Sequence, residues 1–371
     1  MLQECVDFCK QYESDPSVVY KSCDNHIIVM RKLEDTLTNE LRNDVKDPNY
    51  AKFRANKLEV LCIFSKNNPL EQLESINNSN YRNTTYFTGK NVSVDNYNTN
   101  LDAICATGIH YFKSIGAAFN YNLKLEKYNG HHIQYHDNGN KGIECWYVDG
   151  KIDGLVIIWH ADGVKDAEYY SKNGVKHGSC TVWHRNGNLW KKCEYSNGKL
   201  YGPSITWWEN GNIRTSCGYV DEKIDGLLIT WYADGVKEVE YYYKDGEKHG
   251  LHTVWHRNGN MSMSCEYVNG TLHGPCTTWW ENGNMKSSYV YVDGGLHGHY
   301  NIWNSDGTIS SERNYNNGRC EGQCIEWYKD GSKCAQYVVI DGKMHGKSTV
   351  WYENGKVFRE AFHFPIPSKN S

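Results

Sequence analysis

The chain has 371 residues, of which 39% are apolar and 23% charged, so it can bury a core and is not globally disordered. Its net charge of −4 supplies no basic field to neutralise a phosphate backbone, which disfavours nucleic acid as a partner. Neither a signal-peptide pattern nor a run of about 18 apolar residues occurs, and the 14 cysteines lack zinc-ligand spacing. We therefore expect an intracellular, cytoplasmic protein with reduced thiols and no transmembrane segment.

The first 123 residues show no internal periodicity, and they are predicted to form a separate, small α+β domain. Leu33, Leu37 and Leu41 follow a four-residue spacing, which predicts an amphipathic helix over residues 31–43. This helix would end before Pro48, because the residue before a proline avoids the helical conformation.

Short apolar runs at residues 58–64 and 108–112 predict strands in the same domain. Residues 71–100 are rich in Asn, Ser, Thr and Tyr, which indicates loops and hairpins, with a turn at Thr88-Gly89-Lys90. Since a repeat array needs its open end covered, we expect the domain to cap the first repeat.

A 24-residue repeat runs from about Asn129 towards the C-terminus in ten copies without an insertion. Each copy has an aromatic residue, Tyr135 in the first copy and Trp in the others, with a Gly five residues before it and another four residues after it. The Trp column comprises Trp159, Trp183, Trp207, Trp231, Trp255, Trp279, Trp303, Trp327 and Trp351. The Gly column that precedes it comprises Gly154, Gly178, Gly202, Gly226, Gly250, Gly274, Gly298, Gly322 and Gly346.

Asn-Gly or Asp-Gly dipeptides punctuate the repeats, and they are the strongest short-range hairpin signal because a type I′ turn needs positive φ at both central residues. A two-residue turn at Asn210-Gly211 would place Tyr219 opposite Gly202, so that the ring lies over a residue without a side chain. The same register collects Tyr, Cys, Val, Ile and Thr on one face of the sheet. It leaves the Trp column on the other face, amid Lys, Glu and Ser.

The fold class that follows is mainly β, an elongated antiparallel meander of about ten β-hairpin repeats preceded by the small α+β domain. We place the domain at residues 1–123, the array at residues 124–363 and a tail at residues 364–371. Residues 151–222 and 223–294 align at an offset of three repeats, which indicates that a three-repeat block was duplicated.

The recurring Asn-Gly-Lys-x-His-Gly and Trp-Tyr-Glu-Asn-Gly-Lys segments resemble MORN (membrane occupation and recognition nexus) repeats, in the longer variant found in bacterial antitoxin-like proteins and giant DNA viruses. The N-terminal segments KFRANKLEVLCIF and GIHYFKSIGAA are similar to a domain that precedes such repeats in marseillevirus-type proteins. The resemblance implies hairpin arrays that serve in assembly, dimerisation and tethering, without shared catalytic residues. For a viral protein it implies the host cytoplasm or the virion as the location.

One histidine column raises two alternatives, a metal site and turn packing; it comprises His177, His249, His273, His297 and His345. Equivalent residues of successive repeats lie two strands apart, roughly 9.6 Å, whereas two ligands of one zinc lie about 3–4 Å apart. We therefore interpret the column as turn residues and expect no metal and no cofactor.

The Trp column also has two interpretations, a stripe that binds partner side chains and cross-strand packing of a single sheet. Trp190, Trp208 and Trp280 lie outside the column and are the candidate partner contacts.

Two pairs of residues that contain cysteine raise chemical alternatives. Cys180 and Cys193 would face each other across a hairpin, as a disulfide or as two neighbouring thiols, and a reducing compartment favours the thiols. Cys105 and His110 could act as nucleophile and base, but the sequence shows no partner acid or oxyanion motif. We therefore predict no catalytic residues.

These patterns predict a non-catalytic interaction scaffold that presents an extended β-repeat surface to a protein partner or to a second copy of itself. The first alternative is a peripheral membrane adaptor that binds phospholipid, with a local basic patch of Lys151, Lys165, Lys176, Lys191 and Lys192. The second alternative is an enzyme activity in residues 1–123.

Overall fold

A computed structural model describes residues 1–78 and 83–364 of the chain. The chain is mainly β, as the repeat pattern predicts. It divides into two compact units, Met1–Asn188 and Leu189–Ser371, which are described in turn.

The first unit begins with a six-stranded antiparallel sheet in the order β3-β8-β1-β2-β4-β7, a separate two-stranded hairpin β5-β6 and two short helices. The helices are α1 (Leu2–Cys9), followed by a 3₁₀ turn (Lys10–Tyr12), and α2 (Ile115–Asn120). The strands are β1 (Val18–Cys23), β2 (His26–Arg31), β3 (Lys52–Ala55), β4 (Lys57–Ser65), β5 (Ser75–Asn78), β6 (Thr84–Phe87), β7 (Asn91–Ser93) and β8 (Ile109–Phe112).

Strand β2 lies inside this sheet and is buried on both faces. Its apolar residues are therefore continuous and do not alternate with polar ones. Ile27 and Val29 pack against the two helices. Ile28 and Met30 pack on the opposite face with the ring of Tyr111 and the hairpin β5-β6. The predicted strands at residues 58–64 and 108–112 are confirmed as β4 and β8, and the predicted small α+β region is confirmed with them.

The helix predicted over residues 31–43 is wrong: β2 ends at Arg31 and the chain continues as an irregular loop. Leu37 and Leu41 are exposed, so their spacing does not mark a buried helical face. The residues that dock the loop are polar and fully buried instead. The Asn39 side chain accepts a hydrogen bond from the Arg54 N–H at 2.8 Å, and the Arg42 guanidinium donates to main-chain carbonyls of other segments.

The array begins in the first unit with consecutive antiparallel strands. They are β9 (Gly130–Tyr135), β10 (Lys141–Val148), β11 (Lys151–Ile152), β12 (Gly154–Trp159), β13 (Lys165–Lys172) and β14 (Val175–Trp183). The N-terminal region packs directly on the first hairpin: the Tyr50 ring stacks on Tyr135 with centroids 4.3 Å apart. Gly139 fits there because a Cβ at this position would collide with the Asp47 carbonyl oxygen.

The second unit continues the meander with antiparallel pairing between successive strands. Its strands are β15 (Leu189–Ser196), β16 (Lys199–Trp207), β17 (Ile213–Val220), β18 (Lys223–Ile224), β19 (Gly226–Trp231), β20 (Lys237–Lys244), β21 (Glu247–Trp255), β22 (Met261–Val268), β23 (Thr271–Trp279), β24 (Met285–Val292), β25 (Gly295–Trp303), β26 (Ile309–Asn316), β27 (Arg319–Cys320), β28 (Gly322–Trp327), β29 (Lys333–Ile340), β30 (Lys343–Trp351) and β31 (Val357–His363).

Asn/Asp-Gly turns of two kinds alternate along the array. At Asn197-Gly198 both residues have positive φ, +49° and +83°, as a type I′ turn requires. At Asn210-Gly211 only the Gly has positive φ, +89°, and the Trp208 N–H donates to the Asn212 carbonyl oxygen at 2.9 Å. This second kind is a three-residue loop with a Gly bulge, so the type I′ turn predicted there is wrong.

The side chain of Asn210 explains the difference. Its Oδ1 accepts the Asn212 N–H at 3.1 Å, and its Nδ2 donates to the Ala233 carbonyl oxygen of the next repeat at 2.6 Å. Asn138, Asn258 and Asn282 make the equivalent bond to the following repeat. The turn therefore takes the conformation that joins neighbouring hairpins.

The predicted pairing of Gly202 with Tyr219 is confirmed, but the reason offered for the Gly is wrong. A Cβ at Gly202 would have the Glu194 carboxylate as its nearest neighbour, and one at Gly226 would meet no heavy atom within 4 Å. Gly202 and Gly226 have φ of +71° and +93°. Gly202 lies at the β-bulge in the pairing of β15 with β16, which follows the two-residue turn at Asn197-Gly198. Backbone conformation requires Gly here, because other residues disfavour the left-handed region.

The two faces of the sheet differ as predicted. The buried array residues lie mostly on the face opposite the Trp column; among them are Cys145, Val156, Cys217, Ser204 and Cys324. On this face Cys265 and Cys276 are paired across β22 and β23 and form a disulfide, so the expectation of reduced thiols is wrong for this pair. The register that places the two side chains directly opposite each other permits the bond.

Candidate interaction surface

The face that carries the Trp column is called the Trp face here, and its tryptophans are half-buried in every repeat. Alternation along each strand places a second column on the same face, six residues after each Trp. At three repeats this column holds a Lys whose ammonium lies over the Trp ring of the next repeat, at 5.6 Å for Lys141 and Trp159, 5.0 Å for Lys165 and Trp183, and 4.8 Å for Lys237 and Trp255. The Trp rings therefore pack under lysine stems and remain partly accessible.

Three exposed apolar side chains lie next to each other on the Trp face of the second unit, and we call them the apolar patch: Leu227, Tyr242 and Leu251. Leu227 pairs with Tyr242 across β19 and β20, and the Tyr242 Cβ lies 4.0 Å from the position of a Cβ on Gly250, beside Leu251. Their exposed fractions are 46%, 46% and 56%. Because Gly250 has no side chain, the Tyr242 ring of the preceding strand can lie over it on this surface.

The first unit repeats two of the three positions, with Leu155 half-buried and with Ser179 in place of Leu251. Leu155 and Tyr170 pair across β12 and β13, at an offset of three repeats from Leu227 and Tyr242. Trp146 precedes them, with its Cβ 3.8 Å from the position of a Cβ on Gly154, and its ring is 53% exposed. Sequence reasoning missed these residues, although the duplication of the block holds the signal that could have found them.

Of the three candidate partner contacts, two serve the array itself. The indole N–H of Trp208 donates to the Trp231 carbonyl oxygen at 3.0 Å, and that of Trp280 donates to the Trp303 carbonyl oxygen at 3.1 Å. The same position holds His or Tyr in other repeats, where it makes the same bond to the next repeat. Trp190 is 41% exposed.

The five histidines of the column lie within strands β14, β21, β23, β25 and β30, and His273 Nδ1 is 3.5 Å from an Asp293 carboxylate oxygen. Within residues 1–78 and 83–364, no group of three or more His, Cys, Asp or Glu side chains could hold a metal ion. Cys180 and Cys193 are both buried, one in each unit.

The lysines of the basic patch do not form one cationic surface. The Lys165 ammonium pairs with Glu168 at 2.8 Å, and that of Lys176 lies over the Tyr169 ring at 4.6 Å. Lys191 pairs with Thr206 and Lys192 with Ile205, so these adjacent lysines point to opposite faces of the sheet. The charge available to an anionic membrane on any one face is correspondingly small.

Cys105 and His110 line one cavity of about 270 Å³ in the N-terminal region. Burial lowers the pKa of His110 to about 4, so its imidazole is neutral at pH 7. Its Nε2 lies 3.0 Å from the Ile104 carbonyl oxygen, to which it donates. The structure therefore places both residues of the predicted pair at the same cavity.

Two family models match parts of the chain. Residues 8–118 match a family of unknown function (DUF5758). Residues 176–197, 272–293 and 344–364 match a MORN repeat variant, so the array contains MORN-type repeats. A search of curated proteins finds no match to the chain. No helix in the described parts of the chain has the length and apolar character to span a membrane.

Proposed function

We propose, from the premise that the chain carries MORN-type repeats, that it is a non-catalytic scaffold that binds protein through its Trp face. The observation that carries the proposal is the apolar patch of Leu227, Tyr242 and Leu251, together with its counterpart at Leu155 and Tyr170. Adjacent exposed apolar side chains on a rigid surface mark interaction sites, whereas isolated ones need no explanation.

The chemistry of the Trp face favours a protein as the ligand. Tyr, Trp and Leu side chains provide large contact areas on strands that are already ordered, so little conformational entropy is lost on binding. Ion pairs such as Lys237–Glu240 surround the apolar residues and form a polar rim. The basic residues are paired or divided between faces, which favours a protein ligand over phospholipid.

The test compares two double variants of the full chain. Tyr242→Ser with Leu251→Ser removes the centre of the patch, and Leu41→Ser with Leu70→Ser removes side chains that are more exposed but lie in the N-terminal region. Sedimentation analysis measures self-association, and affinity capture followed by quantitative mass spectrometry measures other partners.

We expect the patch variant to lose self-association or one captured partner at least tenfold, and the control variant to keep it. The proposal is wrong if wild type and patch variant capture the same proteins in equal amounts and both are monomeric. Retention of the wild type on anionic vesicles, unchanged in the patch variant, would favour the membrane adaptor instead.

A further part of the proposal concerns the location of the protein, which we infer from the resemblance to giant-virus proteins. An N-terminal domain followed by MORN-type repeats is also the order in the marseillevirus-type proteins that the sequence resembles. We therefore place the protein in the host cytoplasm or the virion. Immunogold labelling of infected cells tests this assignment.

A further inference from the structure

The cavity that contains Cys105 and His110 is lined mainly by cationic and amide side chains. Lys21 comes from β1, Lys52 from β3, and Lys124 from the segment after α2. Asp24 is the one carboxylate among the residues that the structure places around the cavity. His110 is neutral at pH 7, so the residues that line the cavity comprise three ammonium groups and one carboxylate, and Asp137 lies beside Lys52 outside the cavity.

Lys21 is the unusual member of this group, because its side chain is 7% exposed and has no carboxylate within ion-pair distance in the described parts of the chain. Its ammonium donates one hydrogen bond, to the His110 carbonyl oxygen at 3.2 Å, although an ammonium has three N–H groups. Burial, with a contribution from Lys52, lowers the pKa of Lys21 to about 8.

Lys66 shows how the same domain satisfies a buried lysine that has a structural role. Its ammonium donates to the Ser22 hydroxyl at 2.8 Å and to the carbonyl oxygens of Phe119 and Tyr121 at 2.9 and 3.1 Å. All three N–H groups of Lys66 have protein acceptors. Among the described residues Lys21 has one such acceptor, the His110 carbonyl oxygen, and its ammonium lies 5.8 Å from the Tyr86 ring centroid. Two of its N–H groups have no hydrogen-bond acceptor among those residues and are available to a molecule in the cavity.

The other two lysines extend the positive charge from the buried end of the cavity to its mouth. The Lys52 ammonium lies 5.3 Å from the Tyr121 ring centroid and forms an ion pair with Asp137 at 3.7 Å. Lys124 is exposed. The Asn122 side chain lines the same mouth and offers an amide donor.

We propose that this cavity, which we call the lysine pocket, binds a small molecule that carries a phosphate group, with Lys21 as the buried contact and Lys52 and Lys124 nearer the mouth. A phosphate dianion matches the excess of ammonium groups, and its oxygens can accept the unused Lys21 donors. A volume of about 270 Å³ admits a phosphate with a compact organic substituent and excludes a polymer.

The test measures binding of inorganic phosphate and glycerol phosphate to the full chain by calorimetry, at constant ionic strength set with chloride. Lys21→Met removes the buried ammonium and keeps a side chain of similar length. Lys90→Met is the matched control, because Lys90 is an exposed lysine of the same region that lies outside the cavity.

In Lys21→Met we expect at least a roughly tenfold loss of phosphate affinity, because the variant lacks a hydrogen bond to a charged group. In Lys90→Met we expect no change in phosphate affinity. Without phosphate, Lys21→Met should be as stable as the wild type or more so, since replacing a buried charge with an apolar side chain is often stabilising. A merely structural role for Lys21 would instead lower stability and leave affinity unchanged.

Lys124→Met is the second variant, for use if Lys21→Met does not fold, because Lys124 is exposed and its replacement should not disturb folding. We expect Lys124→Met to lose phosphate affinity several-fold. No heat of binding for either phosphate probe with the wild type would overturn the proposal. Acetate binding as tightly as phosphate would overturn the choice of phosphate. This inference is independent of the Trp face, so the two can fail separately.

Discussion

Glu222 occupies a turn position that other repeats fill with glycine, and replacing it with Gly should stabilise the second unit. Asp221 and Glu222 form the two-residue turn between β17 and β18, with φ of +47° and +66°. The equivalent second residue is glycine in the turns at Gly198, Gly246 and Gly270. Glu222 is exposed, and its N–H donates to the Leu200 carbonyl oxygen in β16 at 3.2 Å, a hydrogen bond that glycine would keep.

The magnitude follows from two opposing effects. An L-residue in the left-handed region costs about 1–2 kcal/mol, while glycine loses about 0.4–1 kcal/mol more in backbone entropy on folding. The net stabilisation of Glu222→Gly is therefore about 0.5–1 kcal/mol. For a unit of this size it raises the melting temperature by roughly 1–4 °C.

The matched control is Glu247→Gly, the same chemical change at an exposed strand position that has negative φ. We expect it to destabilise the protein by about 0.5–1 kcal/mol. Urea titration followed by tryptophan fluorescence, with thermal melting in parallel, measures both variants. The reasoning is refuted if Glu222→Gly is no more stable than the wild type, or if the two variants shift in the same direction.

Three further predictions concern the array. Gly226→Val should lower stability by more than about 1 kcal/mol, because φ is +93° there. Lys237→Ala removes a part-buried ion pair with Glu240 and the cation over the Trp255 ring, and it should cost less than Gly226→Val; equal melting temperatures would contradict this. Trp280→Phe should cost about 1 kcal/mol, since it removes the hydrogen bond to the next repeat, and an unchanged urea midpoint would argue against that bond. Deleting residues 223–294 should preserve soluble yield and the far-ultraviolet spectrum, whereas deleting residues 223–234 reverses strand polarity and should abolish both; equal folding of the two deletions would refute modularity.

The repeat architecture was predictable because its determinants are local. Asn-Gly and Asp-Gly dipeptides bend the chain at fixed positions whatever surrounds them, and alternation along a strand assigns each side chain to a face. The pairing of Gly202 with Tyr219 could thus be read from the spacing of the turns. The positions of β4 and β8 followed in the same way from short apolar runs.

The candidate sites were less predictable, because exposure depends on neighbouring strands. Trp208 and Tyr242 are both large aromatics beside the Trp column, yet Trp208 bonds to the next repeat and Tyr242 is exposed beside a bulge. The lysine pocket joins Lys21, Lys52 and Lys124, which are distant in sequence and have no shared motif. Neither the different environments of Trp208 and Tyr242 nor the grouping of the three lysines can be read from the spacing of residues along the chain.

The sequence by itself determined the period, the strands, the turn positions and the two faces of the array, since these depend on φ preferences and side-chain alternation within one repeat. Tertiary structure decided what depends on partners remote along the chain. It replaced a leucine-spaced helix with a loop held by buried Asn39 and Arg42, and it set the turn at Asn210 through a hydrogen bond to Ala233 of the next repeat. A buried polar group must find an acceptor wherever the fold provides one, and this requirement overrides local helical or turn preference.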